Sequence, residues 1–199
     1  MTLTPDTHNT PAAMDAFWSS VDDGYFEDRA WMYRFVAAYI AYQCPPTLDF
    51  CDYGCGCGQF LAVMQGLFPA VHLYGVDYSA VAVRRLIRES NGSILGIECD
   101  LGNLSGLPRQ YYDVAACLQT LEHVRGYKTA LAGMMRTIKP GGSLILTVPN
   151  NDGWQGHHNH WTPETFRELL ETYGEVADLF TFGRNDGDDT NILARVVKV

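Results

Sequence analysis

Short apolar runs alternate with amphipathic segments from Leu48 onwards, and no other feature of the sequence constrains the fold as strongly. The runs have the length of strands, and the segments between them repeat their apolar residues at the 3.6-residue spacing of helices. Strands that alternate with helices lie in parallel, because each helix returns the chain to the same edge of the sheet. We therefore predict an α/β fold, with a doubly wound, mostly parallel sheet and helices on both faces.

The same pattern predicts seven strands and five helices. The predicted strands are residues 48–52, 71–76, 94–98, 113–118, 143–148, 175–182 and 191–199. The predicted helices are residues 29–43, 59–68, 79–90, 127–139 and 162–173, with Ser79 and Thr162 as N-terminal caps. Only the turn-rich segment 183–189 separates the last two strands, so they must pair as an antiparallel hairpin.

We predict two parts in the chain of 199 residues: an N-terminal helical extension, residues 1–46, and one α/β domain, residues 47–199. Residues 1–23 are polar and contain two prolines, and we expect disorder at their start. Aromatic residues follow at helical spacing. These are Phe17, Trp18, Tyr25, Phe26, Trp31 and Tyr33. They fit either a lid over a binding pocket or ordinary packing.

Charge and composition restrict the partners. With 14 basic and 23 acidic residues the formal charge is -9, which makes a nucleic-acid partner unlikely on electrostatic grounds. The start of the chain lacks the pattern of a signal peptide, and the longest apolar stretch, residues 35–42, falls far short of the ~20 residues that span a bilayer. The six cysteines are expected to be reduced core thiols. These features predict a cytoplasmic protein without a membrane segment and leave its oligomeric state open.

A glycine-rich turn joins the first predicted strand of the domain to the next helix, as Asp52-Tyr53-Gly54-Cys55-Gly56-Cys57-Gly58. Glycines let the backbone turn sharply and approach a ligand, and the helix N-terminus offers unpaired N–H groups. Asp77 ends the second strand, where a carboxylate can accept both hydroxyls of a ribose, and Asp100 follows the third. Taken singly, these features fit a tight turn, a helix start and a loop acid. Together, at three consecutive strand ends, they predict a nucleoside pocket.

These residues resemble the class I S-adenosylmethionine-dependent methyltransferases, a family with a Rossmann-like fold. The resemblance covers residues 48–199 and rests on five segments. They are the Asp52 to Gly58 motif, Tyr74-Gly75-Val76-Asp77, Glu98-Cys99-Asp100-Leu101, Tyr112-Asp113-Val114 with Thr120-Leu121-Glu122-His123-Val124, and Ile138-Lys139-Pro140-Gly141-Gly142-Ser143-Leu144.

The resemblance implies that the chain binds S-adenosylmethionine and releases S-adenosylhomocysteine. Gly54, Gly56 and Gly58 would pass the methionine part of the cofactor, and Leu118 or Gln119 would meet its amino group through the backbone. The full cofactor-binding set that we expect is Asp52, Gly54, Cys55, Gly56, Gly58, Asp77, Tyr78, Asp100, Leu101, Leu118 and Gln119.

Two other ligands fit the glycine-rich turn less well. A nicotinamide dehydrogenase has Gly-x-Gly-x-x-Gly, whereas here the third glycine comes one residue early and Gln59 holds its usual place. A zinc site would need a second cysteine pair to complete four ligands beside Cys51, Cys55 and Cys57.

The acceptor chemistry is predicted from two later segments. The sulfonium cofactor is already activated, so the protein needs mainly to align the acceptor and remove its proton. His123, after the fourth strand and beside Glu122, is the first candidate base, and His157 or His160 the second. The alternative is that His123 only braces its loop and that the later histidines form a solvated loop.

Ubiquinone-biosynthesis O-methyltransferases, the branch that the chain resembles, and small-RNA 3′-end methyltransferases bind a divalent metal through Glu-x-x-Glu-His. This chain has Gln119 in place of the first glutamate, which weakens a Mg²⁺-type site, so we expect no metal. The sequence therefore predicts methyl transfer to oxygen or nitrogen of a small-molecule acceptor. The alternatives are a metal-dependent RNA 3′-end methyltransferase and a non-catalytic member that only binds the cofactor.

Overall fold

One mixed sheet forms the centre of the computed structural model, which describes residues 5–150, 153–185 and 190–199. Its strands are β1 (Asp49–Tyr53), β2 (His72–Asp77), β3 (Leu95–Glu98), β4 (Tyr112–Leu118), β5 (Ile138–Pro149), β6 (Glu175–Phe182) and β7 (Asn191–Val197). Its helices are α1 (Pro5–His8), α2 (Pro11–Ser20), α3 (Asp23–Gln43), α4 (Gln59–Leu67), α5 (Ala80–Glu89), α6 (Tyr127–Thr137) and α7 (Pro163–Leu170).

The strand order is β3-β2-β1-β4-β5-β7-β6, and β7 runs antiparallel to both of its neighbours. The order reverses between β1 and β4, which are parallel neighbours although two other strands separate them along the chain. Ligands of open α/β sheets bind outside the carboxyl ends of the strands at such a switch point. The seven predicted strands, the doubly wound sheet and the reversed last strand are confirmed.

Each face of the sheet buries its own apolar cluster. On one face, Tyr112 and Leu146 pack with Met134 of α6 and Phe166 of α7. On the other, Phe50 packs with Phe60 of α4 and with three residues of α3, which are Met32, Val36 and Ile40. Strands covered on both faces are apolar on both sides, which explains their continuous apolar runs. The proposed division between residues 46 and 47 stays a prediction. None of the described helices combines the length and the apolar character needed to cross a bilayer.

The N-terminal part contains more helix than we predicted. Helix α3 begins at Asp23 and not at residue 29, because the Asp22 side chain caps it by accepting from Tyr25 N. Helix α2 was not predicted; Thr10 caps it in the same way, and Pro11 occupies its first turn. The expected disorder at the start of the chain concerns residues 1–4, which lie outside the described residues, as do residues 186–189 of the predicted turn.

The other helix caps agree with the sequence, but the ends of two helices do not. Helix α7 ends at Leu170 and not at residue 173. Ser79 accepts from Ala82 N and Thr162 from Thr165 N, as expected. Helix α6 ends at Thr137 and not at residue 139, since Ile138 already pairs with Tyr112 in the sheet. The Pro140-Gly141-Gly142 turn therefore lies inside an irregular β5.

The side chain of Asp113, near the start of β4, connects the amino ends of the central strands. Burial alone would raise the pKa of this carboxyl group, but hydrogen bonds from Lys139 and from the backbone N–H groups of Asp49 and Leu48 outweigh it and lower the pKa to about 2. The charged carboxylate therefore stabilises the folded state.

We expect Asp113→Asn to lower the free energy of unfolding by about 2–3 kcal/mol, since it removes the charge that four donors share, these three and the hydroxyl of Thr47. In the parent chain this contribution is complete above the ordinary aspartate pKa of about 3.9, and it is lost as the pH falls from about 4 to about 2. Urea unfolding at pH 7, 4 and 2.5 measures both effects, with the exposed Glu168→Gln as the control. Equal stability of the variant and the parent at pH 7 would contradict this role.

Candidate functional site

A cavity of about 1100 Å³ lies beyond the carboxyl ends of the parallel strands. Residues 5–22, here called the N-terminal segment, and the first half of α3 close its other side. Nine of the eleven predicted cofactor residues line it. These are Gly54, Cys55, Gly56, Asp77, Tyr78, Asp100, Leu101, Leu118 and Gln119. The fold thus brings together in one cavity the residues that we predicted to bind one nucleoside ligand.

The glycine-rich turn lies flat against the end of β2. The N–H groups of Gly54 and Cys55 donate to the carbonyl of Val76 at 2.7 and 3.1 Å. Gly54 and Gly56 have φ angles of +75° and +51°, which other residues rarely adopt. A Cβ would also lie 2.3 Å from Thr120 at the first position and 2.6 Å from Trp18 at the second. Only glycine fits at either position, so the backbone itself forms this wall.

Asp77, the last residue of β2, binds the glycine-rich turn through its side chain. Its carboxylate accepts from Gly56 N and from Ser79 N, each at 2.9 Å, and only 5% of the residue is exposed. Burial raises the pKa of Asp77, while the backbone donors of Ser79, Gly56 and Tyr78 oppose that rise. A buried carboxylate on the wall of a cavity is well suited to accept hydroxyl hydrogens, as the ribose role requires.

Asp100 and Gln119, the predicted cofactor residues that follow β3 and β4, lie on the same cavity as Asp77. Asp100 caps the short 3₁₀ helix Leu101–Gly106 by accepting from Gly102 N at 2.8 Å, and it stays exposed at the rim of the cavity. At the end of β4, Gln119 has a φ of +49°, a strained value for this residue type. Its N–H donates to the carbonyl of Thr147 and is therefore not available to a ligand.

Three predicted site residues do not line the cavity. Asp52 is buried within β1 beneath the turn, where burial and the Asp77 carboxylate raise its pKa well above the usual range. Gly58, with a φ of +86°, faces Leu86 of α5 and starts α4. The exposed His160 has its ring tilted against that of His157, with ring centroids 5.9 Å apart. Direct ligand contacts by these three residues stay predictions, and a supporting role for Asp52 and Gly58 fits their positions better.

The opposite end of the cavity is lined by Glu122, His123, Trp154 and His157, here called the acceptor corner. The His123 ring lies 4.7 Å from that of His157 and 6.0 Å from that of Trp154. Nε2 of His123 is 4.0 Å from the carboxylate of Glu122, whose side chain is only 2% exposed. The corner places two imidazoles and a buried carboxylate together at the end of the cavity.

Backbone contacts between two loops fix the acceptor corner. The N–H groups of His158 and Asn159 donate to the carbonyl of Glu122 at 2.8 and 3.1 Å. The Asn159 side chain donates to the carbonyl of Val124 at 2.9 Å. The loop after β5 is therefore bound to the loop after β4, which is why residues 35 positions apart in sequence share one site.

The same corner has the spacing of a metal site. A carboxylate oxygen of Glu122 and one ring nitrogen each of His123 and His157 lie within 4.8 Å of one another. Two imidazoles and one carboxylate suit a first-row transition metal better than Mg²⁺, which prefers oxygen ligands. The expectation that no metal is used stays a prediction, and these three residues are the ones that would hold an ion.

The N-terminal segment contributes residues that our sequence reasoning missed. Asp15 of α2 accepts from Ser79 Oγ at 2.5 Å and from Val81 N at 3.2 Å, so it caps α5 from outside. Asp6 pairs with Arg125, and Asn9 donates to the carbonyl of Gly156 at 3.0 Å. The ring of His8 lies 5.9 Å from that of His123. The segment is thus attached at both ends of the cavity. In the sequence, only the aromatic residues of this segment indicated that it could cover a pocket.

Arg29 of α3 is a second missed residue. Its guanidinium stacks over the ring of Tyr25 at 3.7 Å, and both residues line the cavity. Among the described residues, no carboxylate lies within ion-pair distance of it, whereas Arg125 on the same cavity is paired with Asp6. A single arginine in a predicted helix gives no sequence signal of this position.

Comparisons with known proteins identify the family of the chain. Residues 25–176 match a family described as "Methyltransferase domain". Trans-aconitate 2-methyltransferase of Paracidovorax citrulli (strain AAC00-1) is 26% identical over 147 residues, which are 74% of this chain and 56% of that protein. A ubiquinone biosynthesis O-methyltransferase of Thiobacillus denitrificans (strain ATCC 25259 / T1) is 28% identical over 102 residues, 51% of this chain and 44% of that one.

The chain spans 30% to 56% of the length of the curated relatives that it matches. Among solved structures, the N-methyltransferase NodS from Bradyrhizobium japonicum WM9, in complex with S-adenosylhomocysteine, superposes with a TM-score of 0.78. It is 17% identical, and the match covers 96% of this chain and 98% of NodS. At this level of identity the likeness shows the fold.

We expect Asp77→Asn to weaken the binding of S-adenosylhomocysteine by about 1–3 kcal/mol, because hydrogen bonds to a charged acceptor are lost. Titration calorimetry measures this. Asp49→Asn is the control, since Asp49 is just as buried but lies at the opposite end of β1. Unchanged affinity in Asp77→Asn, or an equal loss in both variants, would contradict the ribose role.

Proposed function

This chain belongs to the class I S-adenosylmethionine-dependent methyltransferases, and on that premise we propose that it methylates oxygen or nitrogen of a small-molecule acceptor. Its methyl donor is S-adenosylmethionine. The acceptor class and the identity of the base are what we propose. The observation that carries it is the acceptor corner, which puts imidazoles at the end of the cavity next to the strand end of Leu118 and Gln119.

The cofactor orientation follows from the charges of the cavity wall. The ribose end faces Asp77, and the amino group of the methionine part requires acceptors such as the carbonyls near Gln119. The carboxylate of the methionine part requires a cation, and Arg29 is a lining cation without a carboxylate partner among the described residues. With these three groups satisfied, the sulfonium points along the wall towards His123.

Methyl transfer then needs one displacement and one proton acceptor. The acceptor heteroatom forms a bond to the methyl carbon as the bond to sulfur breaks, and the sulfur loses its positive charge. The acceptor proton passes to the imidazole of His123. The buried Glu122 carboxylate, 4.0 Å from Nε2, favours the imidazolium that forms. The walls around the reacting atoms exclude water and hold the acceptor in line.

Small-molecule acceptors are favoured by the size of the site and by the relatives. A cavity of about 1100 Å³ holds the cofactor and leaves room for a metabolite-sized molecule. The matched relatives include proteins named for trans-aconitate and for ubiquinone biosynthesis. A formal charge of -9 disfavours RNA as the acceptor.

A second candidate is a metal-dependent methyltransferase, in line with the RNA 3′-end alternative. The observation that favours it is the spacing of Glu122, His123 and His157. In that case these three residues would hold the ion, which would supply Lewis-acid activation of the acceptor oxygen.

The first experiment finds the acceptor and tests the base. The chain is incubated with S-adenosylmethionine and a panel of hydroxy, carboxy and amino compounds that begins with trans-aconitate, and production of S-adenosylhomocysteine is measured. With the best acceptor, we expect His123→Ala to lower kcat about 10²- to 10⁴-fold, while the affinity for S-adenosylhomocysteine stays within about twofold. Turnover that is unaffected by His123→Ala contradicts the base.

Turnover with and without a chelator distinguishes the metal-free from the metal-dependent methyltransferase. We expect EDTA to leave turnover unchanged, and Glu122→Gln to cost less than His123→Ala because Glu122 acts through the histidine. Loss of activity with EDTA, restored by Mn²⁺ or Zn²⁺, contradicts the metal-free proposal. Turnover on short RNA with no turnover on the panel would favour the RNA alternative.

A further inference from the structure

A carboxylate of the protein itself lies beside the acceptor corner. Oδ1 of Asp6 pairs with Nη2 of Arg125 and lies 4.0 Å from Nε2 of His158. All three residues line the cavity. Arg125 follows His123 by two positions in the loop after β4, and His158 follows His157 in the loop after β5. One carboxylate oxygen therefore lies between two groups that come from the two loops of the acceptor corner.

This end of the cavity is rich in groups that bind anions. Besides Arg125, four of the six histidines of the chain line the cavity, namely His8, His123, His157 and His158. Burial lowers the pKa of His158, and the nearby Arg125 charge lowers it further. The first turn of α6, which begins two positions after Arg125, contains no acidic residue. The nucleoside end carries the carboxylates of Asp77 and Asp100 instead, so the charges of the cavity favour an acceptor with a negative group.

The ion pair of Asp6 is of a kind that a ligand can replace. The side chains of Arg125 and Asp6 are 72% and 66% exposed, and ion pairs between such exposed groups contribute little to stability. The ring of His158 is only 14% exposed, and its backbone N–H is bound to the carbonyl of Glu122. A guanidinium can bind a ligand carboxylate through two parallel hydrogen bonds. The two cavity groups thus stay in place when the carboxylate between them is exchanged.

We propose that Arg125 and His158 bind a carboxylate group of the acceptor, and that Asp6 occupies this place until the acceptor binds. The acceptor is then a hydroxy acid or an amino acid, with its carboxylate at Arg125 and its hydroxyl or amino group at His123. This inference rests on the methyl transfer proposed above and names the class of its acceptor. It makes Arg125 a specificity-determining residue and Asp6 a competitor of the substrate.

The first test compares acids with their amides, which have the same shape without the charge. The pairs are 4-hydroxybenzoate with 4-hydroxybenzamide, 3-hydroxybutyrate with 3-hydroxybutyramide, and 3-aminobenzoate with 3-aminobenzamide. Calorimetry on the complex with S-adenosylhomocysteine gives the Kd of each compound. For at least one pair, we expect the acid to bind about tenfold to a hundredfold more tightly than the amide. No preference for the acid in any pair would overturn the proposal.

Arg125→Gln should remove this preference by raising the Kd of the acid, while the Kd of the amide stays within about twofold of the parent. Arg125→Lys, which keeps the charge, should recover part of the affinity. Arg88→Gln is the matched control, because Arg88 is 73% exposed and paired with Glu89, away from the cavity. An equal loss of acid and amide binding in Arg125→Gln would assign Arg125 to the structure of its loop.

Asp6→Asn tests the competition by the sign of its effect. If Asp6 competes with the acceptor, its removal should lower the Kd of the acid about two- to fivefold, since an exposed ion pair no longer has to be broken. The Kd of the amide should stay unchanged. Weaker or unchanged binding of the acid would overturn the role of Asp6. Asp28→Asn is the control, because Asp28 is 68% exposed and pairs with Arg184 outside the cavity.

Turnover distinguishes this inference from the proposed function. With the acid as acceptor, we expect Arg125→Gln to raise KM about tenfold to a hundredfold and to leave kcat within about twofold. Methyl transfer to the amide that is as efficient as transfer to the acid would support the proposed function and overturn the carboxylate site. Binding of the acid that depends on Arg125, without any methyl transfer, would support the carboxylate site and contradict the proposed function.

Discussion

The hydrogen bond from Gly56 N–H to the Asp77 carboxylate connects the two strand ends on which the site depends. It ties the turn after β1 to the end of β2, and the 2.7 Å bond from Gly54 N–H to Val76 acts beside it. A turn held in this way needs positive φ angles and leaves no room for side chains. The same carboxylate accepts from Ser79 N and so also fixes the start of α5.

The N-terminal segment, which precedes the strands in sequence, completes the cavity. Asp15 holds α2 to the start of α5, next to the ribose end, and Asp6 and Asn9 hold the first residues to the loops of the acceptor corner. These three attachments are polar, and Phe17 and Trp18 add aromatic contacts with Tyr25 and Phe26 of α3. The N-terminal segment is therefore supported by α3, which is itself buried with the apolar core.

The sequence predicted the features that depend on local pattern. Strand and helix identities follow from periodicity, and the Asp52 to Gly58 turn and Asp77 follow from motifs with a clear physical reason. The contacts of the N-terminal segment could not be predicted, since they join residues 64 to 147 positions apart in sequence. The positions of Trp18 and Arg29 on the cavity wall became clear only from the structure. In the same way, His157 and His160 looked equivalent in sequence, and only the first faces the cavity.

The central claim is that one cavity aligns the cofactor between Asp77 and the acceptor corner. The most direct measurement is a crystal structure of the chain with S-adenosylhomocysteine. The account predicts the ribose hydroxyls on Asp77, the carboxylate towards Arg29, and the sulfur facing His123. A ligand bound with its sulfur turned away from His123, or with its ribose away from Asp77, would contradict it.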